Sequence, residues 1–298
     1  MNRRQFAKNA IMTSAMISAT SLPGFSTFLI PAKRNIKKGI MWGSIGIGNT
    51  ILEKFQFSKQ AGFEGIEVYS HLDRKEVLKA RDATGLRIHS VCGSLHGKFP
   101  LSDPDPGIRE RGLEALKLTL EDANTYGADT MLLVPGFVNE TVSYNDCWKR
   151  SVEEIKKALP LAEKLKVSIA VENVWNNFLL SPMEAANFVD QFKNPFIRFY
   201  FDCGNVLVIG WPDQWIKILG KRIAKIHIKE FSRKISDKQG KYAGFGVKLQ
   251  EGDVNWPAVM KALDDIGYSD WTTIEQEGGD SAEGLKDLCD RLKNILNS

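Results

Sequence analysis

From residue 36 onward the chain repeats one unit: a short apolar run, a polar break, and a stretch with apolar residues at helical spacing. The apolar runs are 39–46 (GIMWGSIG), 65–70 (GIEVYS), 86–94 (LRIHSVCGS), 129–136 (DTMLLVPG), 167–173 (VSIAVEN), 197–205 (IRFYFDCGN), 223–230 (IAKIHIKE) and 271–277 (WTTIEQE). Several are apolar on both faces, as strands of a parallel, helix-covered sheet must be. Between them 51–63, 109–128, 151–166 and 256–268 read as amphipathic helices, and several of these end in a glycine just before the next strand. Eight alternations leave no sequence over for a second domain, so residues 36–298 read as a single (β/α)8 TIM barrel. The competing arrangement, a doubly wound open sheet, usually carries a G-x-G-x-x-G turn after its first strand. GSIGIGN at 43–49 lacks that spacing.

A barrel of this kind places its chemistry where the strands end. Here the fifth strand ends on Glu172 and the sixth on Asp202, while the seventh carries His227 and the eighth Glu275. Alternation puts Ser168, Ala170 and Glu172 on one face, and Thr273 and Glu275 on another. With Phe199 and Phe201 facing the helices, Asp202 is left towards the axis. Three carboxylates and an imidazole converging on one point repel unless a cation sits among them. Oxygen-rich ligation with one histidine suits a single divalent ion, Mn²⁺, Mg²⁺ or Co²⁺, with Zn²⁺ also compatible.

Charge narrows the function classes. Forty basic and 36 acidic residues give a net charge of +4, which argues against the concentrated basic face of a nucleic-acid binder. The four cysteines (Cys92, Cys147, Cys203, Cys289) form no CxxC and read as buried small apolar residues. The first 32 residues differ from the rest: Arg3-Arg4, an apolar stretch from Ala10 to about Leu22, and no acidic residue before Glu53. The order is that of an export signal, too short and too rich in Ser and Thr to span a bilayer. Asn2-Arg3-Arg4-Gln5-Phe6-Ala7-Lys8 resembles the twin-arginine signal, which implies a periplasmic destination.

The spaced motifs VEN, FDCGN, HIK and IEQE resemble those of the xylose isomerase-like barrel family of sugar isomerases and 3-epimerases, over nearly all of residues 36–298. The resemblance implies that Glu172, Asp202, His227 and Glu275 hold the metal, and that Glu172 and Glu275 flank the substrate as acid and base. The segment 90–101 resembles the strand-3 loop of the pentulose- and hexulose-phosphate branch, implying a substrate contact for His96. Arg233 matches a substrate-contacting arginine of the ketose epimerases. Asn205 stands where those epimerases carry a histidine, as in the phosphate branch. Gly97-Lys98 stands where that branch tends to have an Arg pair, which, with export, points to an unphosphorylated sugar.

Further expected substrate contacts are Glu67 at the end of the second strand, Asn173, and Trp175 or Trp42 stacking on a sugar ring. Lys229 and Arg233 are expected to face the ligand from the root of a long loop, 232–256, read as a lid. His71 and His89 read as structural. With such parts, a proton removed beside a carbonyl and returned to the neighbouring carbon gives isomerisation, and one returned to the opposite face gives epimerisation. Loss of a group β to the carbonyl would make a lyase or hydratase acting on 3-keto-glycosides. A multi-zinc phosphodiesterase would need more histidines than His71, His89, His96 and His227, and a non-catalytic sugar-binding module would not need both glutamates. The partner is thus a small carbohydrate, with homo-oligomerisation left open by the sequence.

Overall fold

A computed structural model describes residues 34–298; the expected export signal, residues 1–32, lies outside the described residues. Eight parallel strands close a barrel in chain order: β1 (Lys37–Met41), β2 (Gly65–Tyr69), β3 (Arg87–Cys92), β4 (Thr130–Leu133), β5 (Ser168–Glu172), β6 (Ile197–Asp202), β7 (Ile223–Ile228) and β8 (Trp271–Ile274). Around it run α1 (Ile51–Ala61), α2 (Arg74–Thr84), α3 (Pro106–Tyr126), α4 (Tyr144–Leu165), α5 (Pro182–Asp190), the single turn α6 (Cys203–Val206), α7 (Pro212–Leu219), α8 (Arg233–Gln239), α9 (Trp256–Asp265) and α10 (Ala282–Leu296). The (β/α)8 expectation holds, and seven strands fall inside the runs assigned to them, while β1 begins two residues ahead of its run, at Lys37. No helix among the described residues is long and apolar enough to cross a membrane.

Local chemistry explains the helix ends. Thr50 and Glu53 cap the start of α1 reciprocally, side chain to backbone in both directions. Gly62 and Gly127 close α1 and α3 at φ of +101° and +79°, a conformation costly for residues with a Cβ. The main apolar core lies between sheet and helices, where Phe199, Phe201, Ile226 and Ile274 are fully buried. Truncating one such phenylalanine to alanine costs about 3–5 kcal/mol. The four cysteines are buried and unpaired.

The interior of the barrel is more polar. At the N-terminal pole Lys225 is 3.0 Å from Asp129 and 2.8 Å from Asp270. His89 stacks on Trp271 with ring centroids 4.5 Å apart, close enough to β1 that a Cβ on Gly39 would lie 2.5 Å from its Nε2. Two register shifts order the layers above. Between β2 and β3 the pairing runs Ile66 to Ile88, then Glu67 to Ser90, so His89 is an extra residue. Between β6 and β7 it runs Phe199 to Ile223, then Tyr200 to Lys225 and Asp202 to His227, so Ala224 is extra. Such bulges bend a strand and re-aim its side chains.

Candidate active site

Glu172 and Asp202 are the last residues of β5 and β6, His227 is the fifth of β7, and Glu275 follows β8 directly. Each points to the axis because its strand neighbours Val171, Phe201, Ile226, Ile228 and Ile274 are buried among the helices. One ligand atom from each of the four lies within 4.8 Å of the others. His227 Nδ1 is 2.9 Å from Glu172 Oε1, 2.9 Å from Glu275 Oε2 and 3.9 Å from Asp202 Oδ2. Lys229 Nζ reaches in from the end of β7, 2.8 Å from Glu275 Oε2 and 3.4 Å from Asp202 Oδ2.

Burial and charge set the ionisation of this group. Burial raises the Glu172 carboxyl to about 7 despite His227 beside it, and raises Asp202 to about 6 despite Lys229. Burial pushes Glu275 the same way, but Lys229 and His227 outweigh it and hold that carboxyl well below the usual range. For His227, burial disfavours the charged ring, yet Glu67, Glu275 and Glu172 outweigh it and hold its proton tightly.

The donor set fits a divalent cation. Asp202 Oδ2 and Glu275 Oε2 are buried yet accept no hydrogen bond, the contacts of Glu275 Oε2 being ion pairs without hydrogen-bond angles. Native proteins rarely leave buried acceptors in that state. In the state ligation requires, with His227 neutral and the carboxylates ionised, Glu67, Glu172, Asp202 and Glu275 set four negative charges against one positive charge on Lys229, a balance of −3 that a divalent ion would reduce to −1. Glu172, Asp202, His227 and Glu275 are therefore a cluster able to hold a metal ion.

The cluster floors a cavity of about 450 Å³ walled by Met41, Tyr69, Cys92, Leu132, Val134 and Val174, with His96 on its rim. Past Met41, Tyr69 and Glu275 it continues into a second compartment of about 330 Å³ against Lys229, Phe245 and Gln276. His96 accepts a 3.4 Å hydrogen bond from the Val134 amide at Nδ1, and burial lowers its pKa to about 4. It therefore meets a ligand as a neutral ring, on the cavity as the resemblance implied. Tyr69, whose hydroxyl burial pushes up to about 12, borders both compartments; alternation with Glu67 was its only signal in the sequence.

Several expected contacts sit elsewhere. Glu67 is fully buried below the cluster and meets His227 Nε2 at 3.0 Å, out of reach of the cavity. Asn173 and Asn205 spend their amides on the backbone. Asn173 donates to the Asp202 carbonyl and accepts from the Asp202 amide, and Asn205 donates to the Asn173 carbonyl. They stitch the ends of β5 and β6 together and so hold Asp202 in place. Trp175 donates to the Asn205 carbonyl and packs against Phe231, Tyr242 and Phe245. Trp42 packs on Phe55 of α1. Arg233 turns away from the cluster, because the carbonyls of Leu207 and Gly210 take its guanidinium and Trp211 lies under it. Of the two basic residues at the lid root, only Lys229 faces the site.

The segment 232–256 contains α8 and a 3₁₀ turn at Ala243–Gly246. Its anchor is Glu230, a buried carboxylate that the sequence reading passed over. Glu230 accepts from the amides of Phe231, Gln250 and Val254 and from Trp256 Nε1, gripping both ends of the segment. Gln276 adds a second tie, accepting from the Glu230 amide and donating to the carbonyls of Phe245 and Val247.

Comparison with known proteins agrees with this architecture. The L-ribulose-5-phosphate 3-epimerase UlaE of Escherichia coli O1:K1 is 25% identical over 251 residues, 79% of this chain and 85% of its own. Among solved structures, the 3-keto-D-glucoside 4-epimerase YcjR of E. coli superposes with a TM-score of 0.72 at 17% identity, covering 87% of this chain and 99% of that one. The D-allulose 3-epimerase of Methylomonas sp. gives 0.71 at 17% identity, covering 88% and 97%. Residues 55–295 match the xylose isomerase-like TIM barrel family along their whole length, and the chain belongs to that family.

Proposed function

We propose that this isomerase-class enzyme is a metal-dependent sugar epimerase, inverting a carbon beside a carbonyl of an unphosphorylated sugar. One observation carries the reading: two glutamates from β5 and the end of β8 meet at His227 Nδ1, on the floor of a sugar-sized cavity, beside buried acceptors that lack donors. A bound divalent ion, Mn²⁺ for preference and Mg²⁺, Co²⁺ or Zn²⁺ otherwise, would stabilise the negative charge that develops on the substrate oxygens as the C–H bond breaks. Glu172 and Glu275 approach with β6 and β7 between them, so one takes the proton from one face of the carbon and the other returns a proton to the opposite face.

The absence of phosphate recognition rests on the cations. Lys229 is the only Lys or Arg among the described residues lining either compartment, and two carboxylates already hold it. Phosphate sites use free, converging donors. His96 is neutral, and Arg233 is committed to backbone. The second compartment favours a further reading, a 3-keto-glycoside substrate with elimination or epimerisation beside its carbonyl, since a sugar substituent would have room there. Export would favour an uncharged substrate too, and Arg3-Arg4 ahead of the apolar stretch supports a periplasmic location. Unchanged periplasmic recovery after replacing both arginines with lysine would overturn that location.

The test is turnover in D₂O with Mn²⁺, offering free ketoses, ketose phosphates and 3-keto-glycosides, followed by NMR. Deuterium should enter beside the carbonyl of an unphosphorylated substrate. Glu172→Gln and Glu275→Gln should each lose about 10²–10⁴ in rate at saturating metal. Both variants turning over within about threefold of wild type would refute the two-glutamate chemistry.

A further inference from the structure

Glu67 has no part in that chemistry, yet it is among the most deeply buried charges in the protein, with 0% of its surface exposed. A carboxylate buried without compensation costs several kcal/mol. Its two oxygens are committed: Oε1 lies 3.0 Å from His227 Nε2, and Oε2 accepts from Ser90 Oγ, which in turn lies 3.3 Å from the Tyr200 hydroxyl. The register shift between Ile66 and Glu67 is what brings Glu67 level with Ser90. Tyr200 also packs against the His227 ring at a centroid distance of 4.5 Å. The imidazole is therefore gripped on its lower nitrogen and on one face, with Nδ1 left towards Glu172, Asp202 and Glu275.

A neutral imidazole carries one N–H and one lone pair, and its hydrogen-bond partner decides which nitrogen holds which. Carboxylates face both nitrogens, Glu67 at Nε2 and Glu172 and Glu275 at Nδ1; a divalent ion among the latter would turn Nδ1 into a ligand lone pair and leave the single hydrogen on Nε2, where Glu67 accepts it. We propose that Glu67 is a positioning residue: it fixes the Nε2–H tautomer and the ring plane of His227, presetting Nδ1 as the ligand atom for a divalent ion. The proposal rests on the reading that the cluster binds a metal. Carboxylate partners of ligating histidines act in this way generally, and losing one weakens metal affinity about 10–100-fold.

The test uses the full chain stripped of metal, with Co²⁺ as the probe in equilibrium dialysis and visible absorption, and Zn²⁺ for NMR. Glu67→Met, close in length but without an acceptor, should weaken Co²⁺ binding about 10–100-fold and shift the Co²⁺ bands. Glu67→Gln keeps a carbonyl oxygen for Nε2–H and should recover most of that loss. A merely structural role would lower the metal-free melting temperature of Glu67→Met and leave its Co²⁺ spectrum unchanged. The ¹H–¹⁵N correlations of His227 in Zn²⁺-loaded wild type need no variant: they should show Nε2 protonated and Nδ1 ligating. The reverse assignment overturns the proposal, as does Co²⁺ binding by Glu67→Met within threefold of wild type with the same spectrum. Wild type that binds neither ion overturns the metal reading as well, which separates the two failures.

Discussion

Replacing Lys229 with methionine should separate the stability of the metal-free protein from that of the loaded one. The ammonium lies 2.8 Å from Glu275 Oε2 and 3.4 Å from Asp202 Oδ2, with its side chain 17% exposed. At an effective dielectric constant of about 20 these attractions are worth roughly 6 and 5 kcal/mol, less the several kcal/mol needed to strip water from the ammonium. Removing one partner of a buried ion pair costs about 3–5 kcal/mol. Asp202 can relax by taking up a proton, so the expected loss is near the lower end, about 3 kcal/mol. In a domain of this size each kcal/mol moves the midpoint by about 2–4 °C, so metal-free Lys229→Met should melt about 6–12 °C below wild type. A divalent ion fills the same charge gap, so Mn²⁺ should raise the variant's midpoint by more than it raises that of wild type. Calorimetric melts in EDTA and in excess Mn²⁺ measure both. The reasoning fails if metal-free Lys229→Met melts within about 2 °C of wild type, or if Mn²⁺ raises the two proteins equally.

Metal affinity should rise with pH. Glu172 and Asp202 hold protons more tightly folded than unfolded, so in the metal-free protein they stabilise the fold in acid, a contribution lost as pH rises from about 4.3 towards 7. Glu275 runs the other way, contributing stability above the ordinary carboxylate range that is lost only in strong acid. Ligation needs all three ionised and His227 without its Nδ1 proton, so Mn²⁺ affinity by dialysis should climb between pH 5 and 7, and a flat profile would refute this. Glu230→Gln keeps one acceptor oxygen for two of the four N–H donors and turns an amide NH₂ against the other two, which should destabilise the protein by about 2–4 kcal/mol. The amides of Gln250 and Val254 should then exchange hydrogen much faster by mass spectrometry, and unchanged protection would show that the anchor lies elsewhere.

The strand order and the four converging residues were legible because both depend on periodicity. Period-two alternation turns Glu172, Asp202, His227 and Glu275 inward whatever surrounds them. Depth was not legible. Alternation puts Glu67 on the inner face but cannot say how far below the mouth it lies, because height in a barrel depends on stagger between strands. Asn173 and Asn205 show a second limit: a buried amide beside a site looks the same in sequence whether it meets a ligand or a carbonyl. Glu230 gave no signal of its role, because its four donors come from residues up to 26 positions away.

Ala224 carries a consequence of its own. It is the one unpaired residue between β6 and β7, and were it paired in the ladder Lys225 would meet Phe201 and Ile226 would meet Asp202. Closing the bulge with Ala224 in the ladder would thus rotate the imidazole out among the helices and drive Ile226 or Ile228 into the cluster, although no side chain had been altered. The site is indexed by counting along the backbone as much as by the identity of its residues. Redesign of this barrel can therefore exchange walls and rim, while the pairing of Glu67 with Ser90 and of Asp202 with His227 has to stay in register.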